Sequence, residues 1–187
     1  WCPFNETWDR DHRKQDDNVL RAVYLATKSA APTRPCIDTS GNYHVVTDIY
    51  DVHDYEQNVE IFKNHYDELA NGGELWDQVN HRGLGVRQTY DGKLPVFISE
   101  YGGIRWAPSD AAGWGYGQAP LSEQEFLDRF KGLTEALLFH PRMGALCYTQ
   151  LTDVEQELNG LYTYDRKPKF DPAFMHAVLT QKAAIEE

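Results

Sequence analysis

The chain has 187 residues, of which 41% are hydrophobic and 13% aromatic, enough to form one globular core. Its formal net charge of −11 argues against a nucleic-acid partner, whose phosphates require a basic face, and reads instead as a solubility feature. No run of about 18 apolar residues suggests a membrane span.

Trp1 to Glu6 is an apolar run that reads as a strand entered partway. With no Met at its head, the chain reads as the back portion of a larger protein. Asp16 to Ala31 places Val19, Val23 and Ala26, with Leu20, Tyr24 and Thr27, at helical spacing, which predicts an amphipathic helix ended by Pro32 and Pro35. Pro35 to Thr39 predicts a short strand, and Val45 to His53 a second, rich in β-branched and aromatic residues. Gln57 to Ala70 predicts a helix with Val59, Phe62, Tyr66 and Leu69 on one side, stopped by Asn71-Gly72-Gly73, and Glu74 to Asn80 a short further helix. Leu94 to Ser99 is a continuous apolar strand of the kind covered on both faces, followed by a Gly-rich, aromatic loop from Tyr101 to Pro120. Leu121 to Phe139 is the clearest helix, with Phe126, Phe130, Leu133 and Leu137 as its buried stripe and Ser122 and Glu125 as a capping box. Met143 to Leu151 predicts a last strand and Pro172 to Ala184 a closing helix. Alternating strands and helices imply one α/β domain with a parallel sheet. Cys2, Cys36 and Cys147 are an odd number in or beside apolar runs, which predicts buried thiols and argues against a disulfide framework or zinc site. The compartment stays open between cytoplasm, periplasm and the exterior.

Two glutamates, Glu6 and Glu100, each close a short apolar run. The C-terminal end of a buried parallel strand is where a (β/α)₈ barrel keeps its reactive groups, because the loops there form its open mouth. Two carboxyl groups roughly 5 Å apart, one donating a proton and one acting as nucleophile, are what a retaining glycosidase requires. The alternative for Glu100 is a structural ion pair with an arginine. Asn5, beside Glu6, carries an amide able to bind a sugar 2-hydroxyl.

Four segments in order, Pro-Phe-Asn-Glu at 3 to 6, Thr-Asp-Ile-Tyr-Asp-Val-His-Asp-Tyr at 47 to 55, Phe-Ile-Ser-Glu-Tyr-Gly-Gly at 97 to 103, and Gln-Leu-Thr-Asp-Val-Glu-Gln-Glu-Leu-Asn-Gly-Leu at 150 to 161, carry a resemblance. Together they resemble the catalytic barrel of family 2 glycoside hydrolases, the β-galactosidase and β-glucuronidase group. The resemblance implies an α/β fold, a partial (β/α)₈ TIM barrel comprising strands four to eight with their helices. Residues 1 to 187 would be the C-terminal part of one catalytic domain, short of the roughly 250 residues of a whole barrel. It implies Glu6 as acid/base, Glu100 as nucleophile, Asn5 as a sugar ligand, and Tyr55, or alternatively Tyr50, as hydrogen-bond donor to the nucleophile. His53 either faces the pocket or makes a structural hydrogen bond. Trp106 and Trp114, with Tyr116, either stack on sugar rings or form a satellite core, and Tyr148 is expected beneath the sugar although its local pattern departs from the family. Asp153, Glu155 and Glu157 are expected to be solvated or ion-paired. No metal or cofactor is implied.

The resulting expectation is a retaining exo-β-glycosidase. Family glucuronidases carry Asn-x-Lys to hold the sugar carboxylate, and its absence here favours a neutral sugar, β-galactoside ahead of β-mannoside. The competing readings are a clan-related endo-β-glycanase and a non-catalytic carbohydrate-binding or assembly fragment. The expected partners are a carbohydrate substrate, the remainder of the barrel, upstream β-sandwich domains and further copies of the chain. Turnover by this chain alone is expected to be negligible.

Overall fold

Side-chain caps open four of the described α-helices. The Asp16 carboxylate accepts the amides of Asn18 and Val19 to open α1 (Asp17–Ala30), Asn58 does the same for α2 (Val59–Asn64), and Asp171 precedes Pro172 at the first turn of α5 (Pro172–Leu179). Ser122 caps α4 (Glu123–Leu138) by accepting from the Glu125 amide at 3.2 Å. Glu125 Oε2 turns to the Leu121 amide at 2.8 Å, so the expected capping box closes one residue earlier. These elements belong to a computed structural model that describes residues 1–8, 14–83, 85–107 and 113–186. Within the loop 101–120, residues 108–112 lie outside the described residues.

The helix expected over Gln57–Ala70 is broken. Beyond α2 the chain makes a tight turn in which the Tyr66 amide donates to the Lys63 carbonyl at 3.0 Å, and α3 (Asp67–Ala70) follows. His65 and Tyr66 both reach the buried Asp54 carboxylate, each at 2.8 Å, which draws the turn towards the sheet. The short helix expected over Glu74–Asn80 is a single 3₁₀ turn, Gln78–His81.

Among the described residues the sheet has three parallel strands in the order β1 (Tyr50–Asp54), β2 (Val96–Gly102), β3 (Met143–Thr149). The segment 35–39 forms no ladder strand. It runs extended beside residues 1–6, with Ile37 donating to the Trp1 carbonyl, Ser40 to Phe4, and Glu6 back to Ser40 at 2.8–2.9 Å. Residues 45–49 also leave the ladder, because the Asp38 carboxylate takes the Val45 and Val46 amides at 2.7 and 2.9 Å before any strand can.

One face of the sheet is covered by α2, α4 and α5. There Val52, Val96, Ile98, Tyr101 and Met143 pack against Phe62, Phe126, Phe130, Leu133, Leu137, Met175 and Val178. The expected α4 stripe is buried throughout; on α1, Leu20 and Tyr24 are buried while Val19 faces solvent. Of the three thiols only Cys36 is buried. Cys147 alternates with Leu146 and Tyr148 and so lies on the face without helices, and Cys2 lies on the exposed opening segment. No described helix is long and apolar enough to cross a membrane.

Phe126 stacks on Phe170 at 4.0 Å between ring centroids and ties α4 to the segment leading into α5. Phe126→Ala should therefore lower the unfolding free energy by about 3–5 kcal/mol, measurable as a fall in the urea midpoint.

Candidate active site

A break in strand alternation brings Glu100 to the site. On β2, Val96 and Ile98 point to the helices, so strict alternation would send Glu100 the same way. Val52 pairs with Ile98 but His53 pairs with Glu100, leaving Ser99 as the extra residue of a bulge. Ser99 and Glu100 both turn to the open face, and Tyr101 resumes the buried phase. Glu6 arrives by a different route. Its φ of +48° is left-handed, held by its amide on the Ser40 carbonyl and by the Trp8 amide on its own carbonyl at 2.7 Å.

Between them stands His53 of β1, completely buried, with Nδ1 3.0 Å from Glu6 Oε1 and 3.2 Å from Glu100 Oε2. Gly41 crosses the imidazole so closely that a Cβ there would lie 2.3 Å from Cε1, and its φ of +72° also suits glycine. One oxygen of each glutamate and His53 Nδ1 lie within 4.8 Å of one another. A cavity of about 470 Å³ between α2, α3 and the 3₁₀ turn, lined by His65, Trp76 and His81, touches none of these three residues.

The two carboxyl groups titrate in opposite directions. The hydrogen bond with His53 pulls Glu6 below the usual carboxylate range against the effect of burial, with help from Trp8 and the Arg82 charge. Burial pushes Glu100 up, and the Glu6 and Asp51 charges add to this, although His53 and the Tyr55 hydroxyl oppose it. Of the two, Glu100 is therefore the carboxyl with the higher affinity for a proton.

Tyr55 donates to Glu100 Oε2, whereas Tyr50 donates to Asp77 Oδ2 at 2.7 Å, which separates the two tyrosines considered from the sequence. Tyr116 stacks on Tyr55 with centroids 3.4 Å apart, and Trp114, exposed, meets Tyr116 edge-on at 5.8 Å. Asn5 lies exposed beside Glu6, bridged through its backbone to Ser40. Trp106 instead packs on Phe126 and Phe170 in the core. Tyr148 is not on the open face: strand alternation turns its ring to the helix side, against Phe130 at 5.1 Å and Tyr101 at 5.6 Å. Asp153 pairs with Lys169 at 2.6 Å. Sequence reasoning passed over Trp8, Arg82, Ser40, Asp51 and Ser99. Arg82 lies 3.1 Å above the Trp8 ring, and the other three surround the far side of His53. Asp51 and Ser99 are polar residues inside otherwise apolar strands, a weak signal, and Trp8, Ser40 and Arg82, outside the strands, carried none.

No protein-family model and no curated protein sequence matches the chain. Solved structures match its fold. The GH2 β-galacturonidase from Eisenbergiella tayi bound to glycerol superimposes with a TM-score of 0.61 at 15% identity, over 91% of this chain and 30% of that one. The FMN-binding β-glucuronidase from Faecalibacterium prausnitzii L2-6 gives 0.59 at 17% identity, over 91% and 27%. The Bacteroides uniformis β-glucuronidase gives 0.54 at 16% identity, over 81% and 18%. The fold is thus an α/β fold similar to that of glycoside hydrolases of GH2 type. The chain spans less than a third of the length of each of these neighbours.

The opposed titrations make a signed prediction. Glu100 keeps its proton to a higher pH when folded, so its ionised form costs stability as pH rises through that raised value. Glu100→Gln should raise the melting temperature at pH 7, and the gain should vanish near pH 4, where folded and unfolded chains are both protonated there. Glu6 is depressed, so its contribution is present above the ordinary carboxyl range and is lost on acidification. Glu6→Gln should lower the melting temperature at pH 7, and thermal scans of both variants across pH check the two signs.

Proposed function

We propose that the chain is the part of a (β/α)₈ barrel running from strand four to strand eight in a retaining exo-β-glycosidase, with Glu100 as nucleophile and Glu6 as acid/base. The observation that carries this is the approach of the two carboxyl groups to within 4.8 Å across one imidazole. Retaining enzymes hold the pair about 5–5.5 Å apart, and inverting enzymes about 6.5–9.5 Å. Glu100 attacks the anomeric carbon while the Glu6 proton passes to the leaving oxygen. Water, deprotonated by Glu6, then releases the sugar from Glu100. Tyr55 supports this division: burial and the Glu100 charge raise its phenol far above its ordinary value, so it remains a donor and keeps Glu100 Oε2 an acceptor. Without substrate the proton affinities run the other way, so a glycoside must raise that of Glu6 above that of Glu100. The leaving group does so by excluding water from Glu6 and raising its affinity for the proton.

For the sugar, the absence of Asn-x-Lys supports a β-galactoside. A uronide is the second reading, favoured by neighbours that are β-glucuronidases and a β-galacturonidase and by the Arg82 charge felt at Glu6. The open face and the free edge of β3 support association with the rest of a barrel, and little turnover without it.

A 2-deoxy-2-fluoro β-galactosyl fluoride, offered alone and with the full-length protein, should label Glu100, seen by peptide mass spectrometry. The uronic acid analogue labelling in its place would favour the second sugar. Within the full-length protein Glu6→Ala should lose about 10²–10⁴-fold in aryl β-glycoside hydrolysis and recover with azide as a β-glycosyl azide. A label on neither glutamate in the full-length protein would end the glycosidase reading.

A further inference from the structure

We propose that Asp51, acting through Ser40, is a positioning residue that fixes His53 in the tautomer with its proton on Nε2, leaving Nδ1 to share one proton with Glu6 and Glu100. The contacts lie inside the protein, the Asp51 and His53 side chains both being 0% exposed. Ser40 Oγ donates to Asp51 Oδ2 at 2.6 Å, Ser99 Oγ donates to the same oxygen, and the Gly41 amide reaches it at 3.3 Å. Each serine has a single hydroxyl proton, and an ionised carboxylate is a stronger acceptor than a neutral imidazole nitrogen. With both hydroxyl protons directed to Asp51, the 2.8 Å contact between Ser40 Oγ and His53 Nε2 is bridged by a proton on the ring.

Nδ1 therefore carries a proton only when the ring is cationic. When the ring is neutral, its lone pair faces Glu6 Oε1 at 3.0 Å and Glu100 Oε2 at 3.2 Å, and one of those carboxyl groups must donate to it. Transfer from Nδ1 to Glu6 Oε1 breaks one N–H bond and forms one O–H bond. The product is a neutral ring and a neutral Glu6 beside an ionised Glu100, the state in which Glu6 can act as an acid. This functional half rests on the glycosidase reading; the tautomer does not.

Asp51 is itself held from behind. His44 places Nε2 3.2 Å from Asp51 Oδ1 and Nδ1 2.8 Å from Asp38 Oδ1, and Asp51 Oδ1 makes no well-aligned hydrogen bond, so this contact acts through charge. Burial disfavours the His44 cation, but the Asp38 hydrogen bond and the Asp51 charge outweigh it. His44, whose affinity for a proton is raised by these two carboxylates, thus backs Asp51 at Oδ1 while Ser40 and Ser99 donate to Oδ2.

The test is ¹⁵N NMR of the histidine-labelled chain at a pH where the His53 ring is neutral, with the resonance assigned by its disappearance in His53→Gln. The wild type should show the Nε2–H form. Asp51→Asn presents an amide that donates to Ser40, so the Ser40 proton turns to His53 and the Nδ1–H form should take over. Ser99→Ala leaves the Ser40–Asp51 bond in place and should keep the Nε2–H form. An Nδ1–H ring in the wild type would overturn the proposal whether or not any variant folds. So would an Asp51→Asn chain with native circular dichroism that keeps Nε2–H. Failure of the fluoro-sugar to label Glu100 would strike only the glycosidase reading and leave the tautomer result standing.

Discussion

The site depends on one extra residue in β2. Without the Ser99 bulge, Glu100 would follow Val96 and Ile98 into the layer of Phe126, Phe130 and Leu133, where an ionised carboxylate has no partner. The slip of one residue changes the phase of the strand. It carries Glu100 to His53, beside the Ser99 that alternation already sets against Asp51, and returns Tyr101 to the core, where its hydroxyl meets Thr134 at 2.9 Å. A regular β2 would satisfy the sheet and destroy the site.

The bulge also creates an electrostatic problem. Glu6, Glu100 and Asp51 are three acids around one buried imidazole, in a chain already acidic overall. Three ionised carboxylates with one cation would leave the cluster negative in a place of reduced solvation. The opposed directions at Glu6 and Glu100 ease this, because burial makes Glu100 the carboxyl that takes up a proton first as pH falls. A ligand that uses Glu6 as an acid would have to reverse that order.

How much of this could be read in advance depended on whether a signal was local. α4 was legible because its apolar stripe and its Ser122 cap lie within the helix itself. Residues 45–49 looked equally like a strand by composition, yet Asp38, outside that segment, captures two of their amides. The two glutamates, Tyr55 and His53 were legible as strand-end polar residues in a family-like order, and the structure brings these four together. Tyr148 was misplaced because an aromatic residue on a strand reveals nothing about which face it takes until register is known. Ser40, Asp51 and Ser99 were missed because each is an ordinary small polar residue whose importance lies wholly in what folding sets against it.

The two faces of the sheet divide the work between stability and chemistry. The helix side is aliphatic and aromatic and closes on itself through α2, α4 and α5. The other side presents Asp51, His53, Ser99 and Glu100 beside Ala145 and Cys147, which remain exposed. Parallel sheets are normally covered on both faces. Here the second face carries the half-buried Phe97, opposite Asp51 and Ala145, beside a polar site in which Gly41 and His44 already lie against His53 and Asp51 and leave both fully buried. The carboxyl pair, in contrast, sits where the dielectric is still set partly by solvent, with Glu6 35% and Glu100 24% exposed. Covering that face would remove the water around Glu6 and weaken the screening between the two charges. Both effects strengthen the repulsion between the two ionised carboxyl groups and so favour a proton on one of them.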